Sequence, residues 1–161
     1  MNVAKIKQFQ SLINWIIVGV VFLMAASAII VNAKHQMRPQ QIIRLGGTVF
    51  QVDVADTQRA RERGLSGREE LRDNQAMLFV FEEDGPLPIW MKGMKFPIDI
   101  IWLDRGHQVV HIERNVQPDA VPYNVYQSPV PARYVLEVAA GSRGVIVGSQ
   151  ANFELTLGSL R

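Results

Sequence analysis

The chain has 161 residues, a formal net charge of +2 and no cysteine. So small a charge, without interleaved basic and aromatic clusters, argues against nucleic-acid binding. The lack of cysteine excludes disulfides, thiol nucleophiles and thiolate metal sites, while 48% hydrophobic and 20% charged residues suit one folded domain plus an appendage.

Lys5 and Lys7 precede Leu12–Val31, twenty residues without a charge. At about 1.5 Å rise per residue such a helix spans about 30 Å, the depth of a bilayer core. The small residues of Ala26-Ser27-Ala28 and Val31-Asn32-Ala33 also suit a signal peptidase, so an uncleaved anchor and a cleaved leader both fit. The expected organisation is a transmembrane signal-anchor over 1–33, a polar linker over 34–41 and a β-rich domain over 42–161. The domain then lies on the extracytoplasmic side of the cytoplasmic membrane, single-pass, or is secreted or periplasmic after cleavage.

Gln41 to Asp56 reads as a hairpin. Gly46-Gly47 supplies the positive-φ turn, and Val49, Gln51 and Asp53 alternate with Phe50, Val52 and Val54. The following stretch predicts the main helix, capped by Asp56 or Thr57 and ended by Gly64. Ser66 to Glu69 forms a capping box for a second short helical turn. Gln75–Phe81 reads as a strand buried on both faces, closed by a turn at 82–86. Further strands are expected in "LPIWMK", "IDIIWL", "HQVVHIE", "ARYVLEV" and "ANFELTL". This pattern predicts a mostly β domain, an antiparallel sandwich or partly closed barrel with one short helical excursion, behind the N-terminal membrane helix.

The blocks "RERGLSGREEL", "AMLFVF", "IWMKGMKFPIDIIWLD" and "PARYVLEVAAG" together resemble the domain of unknown function 192 family. The resemblance runs over nearly all of Ile42 to Leu157. It implies a small, β-rich, sandwich-like domain, often exported behind a signal or anchor, with no established reaction. Ser66 stands where that family often has Met, Ala76 where it often has Gly, and Gly93-Met94 where it often has Asn-Thr.

Asp99 is the sharpest chemical feature, a carboxylate directly before the apolar Ile100-Ile101-Trp102-Leu103. Burying such a charge requires a partner, and Lys92, Lys95 and Arg133 are the expected cations. The pairing fixes strand register, or it forms the floor of a polar site beside Trp90. Strand alternation places Asp99, Ile101 and Leu103 on one face and Ile98, Ile100 and Trp102 on the other. In "ARYVLEV" it groups Arg133, Val135 and Glu137. Asp99 and Glu137 would form an acid–base pair for hydrolysis of an envelope polymer if their carboxyl groups lay within about 5–10 Å across one cleft.

His107, His111 and Glu113 are expected on one strand face, yet a separation of about 13 Å between the histidines is too wide for one ion. The arginines of 59–63, with Arg68 and Arg72, form the densest basic patch, suited to a solvated helix face or to anionic lipid. The loop 115–131 carries Tyr123 and Tyr126 among four prolines, and long loops of this kind are commonly functional or disordered.

The sequence therefore points to a membrane-tethered extracytoplasmic binding or accessory domain. Its binding residues would be Trp90, Lys92, Asp99, Arg133, Tyr123 and Tyr126. No catalytic residue, cofactor, metal or nucleic-acid partner is expected. The partners would be the membrane, through the N-terminal helix, and an envelope ligand or protein. The alternatives are the hydrolase using Asp99 and Glu137, and a structural subunit of a membrane complex.

Overall fold

A computed structural model of the chain describes residues 15–18, 20 and 41–155. Residues 15–18 and 20 are helical, with exposed side chains. The rest of the expected membrane segment, most of the linker and residues 156–161 lie outside the described residues. Among the described residues no helix is long and apolar enough to cross a membrane.

In the β-rich unit, β1 (Gln41–Leu45) and β2 (Thr48–Ala55) form the expected hairpin around Gly46-Gly47. Alternation drives Ile43, Leu45, Phe50 and Val52 into the interior. Helix α1 (Gln58–Arg63) begins at Thr57, whose hydroxyl accepts from the Ala60 N–H at 3.2 Å, and ends at Gly64 with φ of 49°. The second helical turn expected at Ser66 does not form. Residues 64–67 are a turn, and the Ser66 hydroxyl donates to the Lys92 carbonyl at 2.6 Å, a tertiary bond that outcompetes the local cap.

The remaining strands are β3 (Gln75–Gly85), β4 (Ile89–Trp90), β5 (Ile98–Leu103), β6 (Val109–Val116), β7 (Val125–Tyr126) and β8 (Ala132–Ala139). Six of them make one sheet in the order β1-β2-β3-β8-β5-β6, and β4 and β7 make a two-stranded ribbon. The chain is thus mostly β with few helices. Pairing is not antiparallel throughout as expected, because β2 and β3 run parallel. Parallel neighbours need a crossover of about a dozen residues or more, and the stretch holding α1 is that crossover. The segment read as a final strand, "ANFELTL", contributes an isolated bridge from Asn152 to Arg44 and no strand among its described residues.

Both faces of the six-stranded sheet are covered. Met77, Phe79, Ile98, Ile100, Trp102 and Val135 belong to one apolar cluster, and Leu78, Ile101, Leu103, Leu136 and Val138 belong to the other. All six residues of β5 are buried, as its unbroken apolar run predicts. The segment 148–152 bonds to both outermost strands. Arg44 of β1 and Asn152 exchange backbone bonds at 3.1 and 2.9 Å, while Val109 and His107 bond to Ser149, Gly148 and Ala151.

Candidate functional site

Asp99 is fully buried and fully partnered. Its Oδ2 accepts from Arg114 Nη1 at 2.9 Å and from the Ser142 N–H at 3.1 Å. Its Oδ1 accepts from the N–H of Asn115 at 2.8 Å and of Gly141 at 3.4 Å. Arg114 also donates to the carbonyls of Ser142 and Val145. The carboxylate therefore ties β5 to β6 and to the 141–145 turn. The cation is Arg114, which the sequence reading missed, and not Lys92, Lys95 or Arg133. Lys95 pairs with Glu69. Arg114 sits fifteen residues downstream in the chain, and only the pairing of β5 with β6 brings it to Asp99.

Arg133 serves another irregularity. Between Val80 and Gly85 the register of β3 against β8 shifts. Arg133 fills that bulge by donating to the carbonyls of Phe81 and Glu82 and to the Asp84 carboxylate. The Arg133 hydrogen bond, helped by Arg105, holds the Asp84 carboxyl below its ordinary range.

Glu137 lies across from Ile100 in β5 and Met77 in β3, whereas Asp99 lies across from Val138. Directly opposed residues share a face, so Asp99 and Glu137 point to opposite sides of the sheet. The acid–base pair required for the hydrolase is not formed.

Glu137 instead reaches a cleft of about 160 Å³ between α1, β3 and the β4 segment, shared with Phe79, Phe81, Trp90, Lys92 and Met94. The local sequence explains its shape. Arg61 pins α1 down by donating to the carbonyls of Asp56 at 3.0 Å and Val80 at 2.8 Å, and its guanidinium lies 5.0 Å from the Phe81 ring centre. On the other wall, the Gly67 N–H donates to the Gly93 carbonyl at 2.9 Å. Lys92 Nζ lies 5.4 Å from the Trp90 ring centre, within cation–π range.

Glu137 is 4% exposed, and among the described residues its Oε2 has no hydrogen-bond partner. Burial pushes its pKa from 4.5 up to about 8, partly opposed by the charge of Arg68, so it holds its proton at neutral pH. Of the expected binding residues, the cleft unites Trp90 and Lys92 and adds Glu137. It excludes Asp99 and Arg133.

The tyrosines stand on the neighbouring ribbon and loop. Tyr126 pairs with Ile89 in β7–β4 and packs against the first apolar cluster, and Tyr123 is half-buried in the preceding loop. That loop is braced by Asp119, whose Oδ2 accepts from the Asn124 N–H at 2.8 Å.

His107 and His111 do not share a face. His107 precedes β6 and stacks on Phe153 at 3.9 Å, while His111 lies 5.3 Å from Trp102 on the other side of the sheet. His111 and Glu113 are 3.1 Å apart. Burial holds His107 below the ordinary imidazole range. Among the described residues no three His, Asp or Glu side chains cluster in a way that would hold a metal ion.

The family model for domain of unknown function 192, described as an uncharacterized ACR, matches residues 41–151, more than half of the chain. The chain belongs to this family. Two solved structures resemble it. One is a candidate transcription regulator from Sinorhizobium meliloti 1021, with 28% identity, a TM-score of 0.66 and coverage of 71% of this chain and 94% of that one. The other is a protein of unknown function from Novosphingobium aromaticivorans DSM 12444, with 26% identity, a TM-score of 0.64 and coverage of 71% and 83%. No curated protein matches the chain.

Proposed function

We propose that this family member is a membrane-tethered, extracytoplasmic binding domain that receives a ligand in the cleft of Glu137, Trp90 and Lys92 and carries out no catalysis there. The observation that carries the reading is the Oε2 of Glu137, buried and without a hydrogen-bond partner among the described residues. Leaving a buried polar atom unpaired costs about 1–3 kcal/mol, and a bound group that completes its hydrogen bonding removes that penalty. Half-exposed Trp90 at the mouth offers a flat apolar surface, and Lys92 adds a charge beside it.

The tether rests on the charge-free Leu12–Val31 run behind Lys5 and Lys7 and on the exposed apolar side chains of the helical residues 15–18 and 20. A helix with uncovered apolar sides suits lipid better than water. The domain of the proposal is a β-rich head on that stalk, in the sandwich or partly closed barrel class.

Thermal shift of the full-length protein in detergent against a small-molecule library tests the cleft. Ligands that stabilise the wild type should lose their effect with Trp90→Ala and Glu137→Leu, and hits indifferent to both changes would end the assignment. For the tether, alkaline extraction of membranes should leave the protein in the pellet, and external protease should reach residues 42–161 once the outer barrier is opened. Release into the supernatant with an intact N-terminal mass would overturn it.

A further inference from the structure

The charges around the cleft narrow the kind of molecule it accepts, a step that rests on the binding role just proposed. At the floor, the strand neighbours of Glu137 are apolar, Met77 on β3 and Ile100 on β5, so the sheet provides no cation for it. From the crossover, the charge of Arg68 reaches it, but Arg68 is bound to Asp53 at 2.6 Å. From α1, the lining includes Arg61, Glu62 and Arg63, and from the β4 segment it includes Lys92. Cations therefore outnumber acids at the rim. Among the described residues, neither Arg63 nor Lys92 enters an ion pair.

The walls are apolar, with Phe79, Phe81 and Met94. An enclosed cavity of about 150 Å³ holds benzene, and this open cleft of about 160 Å³ has room for a body of about one ring. A neutral carboxyl at the floor offers an O–H, and an O–H donated to a carboxylate oxygen is a strong, charge-assisted hydrogen bond.

We infer that the cleft binds a small organic carboxylate with a body about one ring in size, its anionic end accepting a hydrogen bond from Glu137 within the field of Arg63 and Lys92. An amine of the same shape is disfavoured by the same cations.

Three probes of one shape separate the cases: benzoate, benzamide and benzylamine, titrated calorimetrically into the full-length protein in detergent at pH 6.5 and pH 9. Benzoate should bind at pH 6.5 and bind better than benzylamine. Since burial moves the Glu137 titration to about 8, benzoate affinity should fall about tenfold for each pH unit above it. Glu137→Gln, whose amide still donates, should keep benzoate binding and lose the pH dependence. Glu137→Leu, which fills the floor with an apolar group and should fold at least as well, should lose binding.

Benzylamine binding tighter than benzoate, yet still abolished by Glu137→Leu, would overturn the carboxylate and leave the binding cleft standing. Benzoate binding unaffected by Glu137→Leu and Trp90→Ala would overturn the cleft itself. Failure of all three probes to bind would overturn the ligand class.

Discussion

Arg114 donates from Nη1 to Oδ2 of Asp99 at 2.9 Å, and the remaining hydrogen bonds of that carboxylate come from backbone N–H groups of Asn115, Gly141 and Ser142. Asp99 is completely buried, whereas the Arg114 side chain is 41% exposed. The two partners are therefore not equivalent. Asp99→Ala leaves three backbone donors without their acceptor and removes the ion pair, and it should cost about 3–5 kcal/mol in urea unfolding. Arg114→Met leaves the carboxylate with its backbone donors and should cost clearly less. Equal losses would show that the guanidinium, and not the backbone cradle, holds the acid.

Glu137 makes stability fall as the solution turns alkaline. Its folded pKa of about 8 lies above the ordinary 4.5, so between these values the folded chain holds a proton that the unfolded chain has released. Stability contributed by this group is complete below about 4.5 and is lost as pH rises through about 8. The loss is on the order of a few kcal/mol. Glu137→Gln should flatten that slope and be the more stable protein at pH 8.5. An unchanged pH profile in the variant would refute the assignment.

Asp84 reports on Arg133. The Arg133 hydrogen bond is the largest cause of its lowered pKa, so Arg133→Met should return the Asp84 titration, followed by NMR, upward toward the ordinary carboxylate range. Arg105→Ala should move it less. The opposite ranking would mean that Arg133 does not clamp the β3 bulge.

Gly46 and Gly144 touch backbone to backbone. A Cβ on Gly144 would lie 2.5 Å from the Gly46 carbonyl oxygen, at φ of 82°, whereas a Cβ on Gly47 would meet nothing within 4 Å. Gly47→Ala should cost about 1 kcal/mol for its positive φ alone. Gly144→Ala adds a clash that no rotamer relieves and should cost about 1–3 kcal/mol more. Similar unfolding midpoints for the two would contradict this packing.

The parts of the fold written in local pattern were readable from the chain alone. The Gly46-Gly47 hairpin, a helix cap at Asp56 or Thr57, the Gly64 stop and the doubly buried β5 each depend on residues within a few positions of one another. The parity of β8 was also correct, with Val135 and Leu136 packing into opposite clusters. What alternation within one strand leaves undetermined is the register between strands. Asp99 and Glu137 were each placed correctly on their own strands, but only the pairing of Ile100 with Glu137 reveals that they face apart.

The same limit hid Arg114, whose route to Asp99 runs through a register shift in β6. It also hid the cleft, which depends on α1 and the β4 segment closing over one face of the sheet. The one available sign was a glutamate within an apolar strand, flanked by Leu136 and Val138. At Ser66 a local motif lost to a distant carbonyl, that of Lys92.

The strip of chain at 148–152 has a consequence for how copies of this protein meet. It occupies hydrogen-bonding positions at Arg44 on one outermost strand and at His107 and Val109 beside the other. Open strand margins are where separate molecules recruit each other into fibrils. By spending its own backbone at those positions, each molecule withdraws them as a template for strand addition by its neighbours.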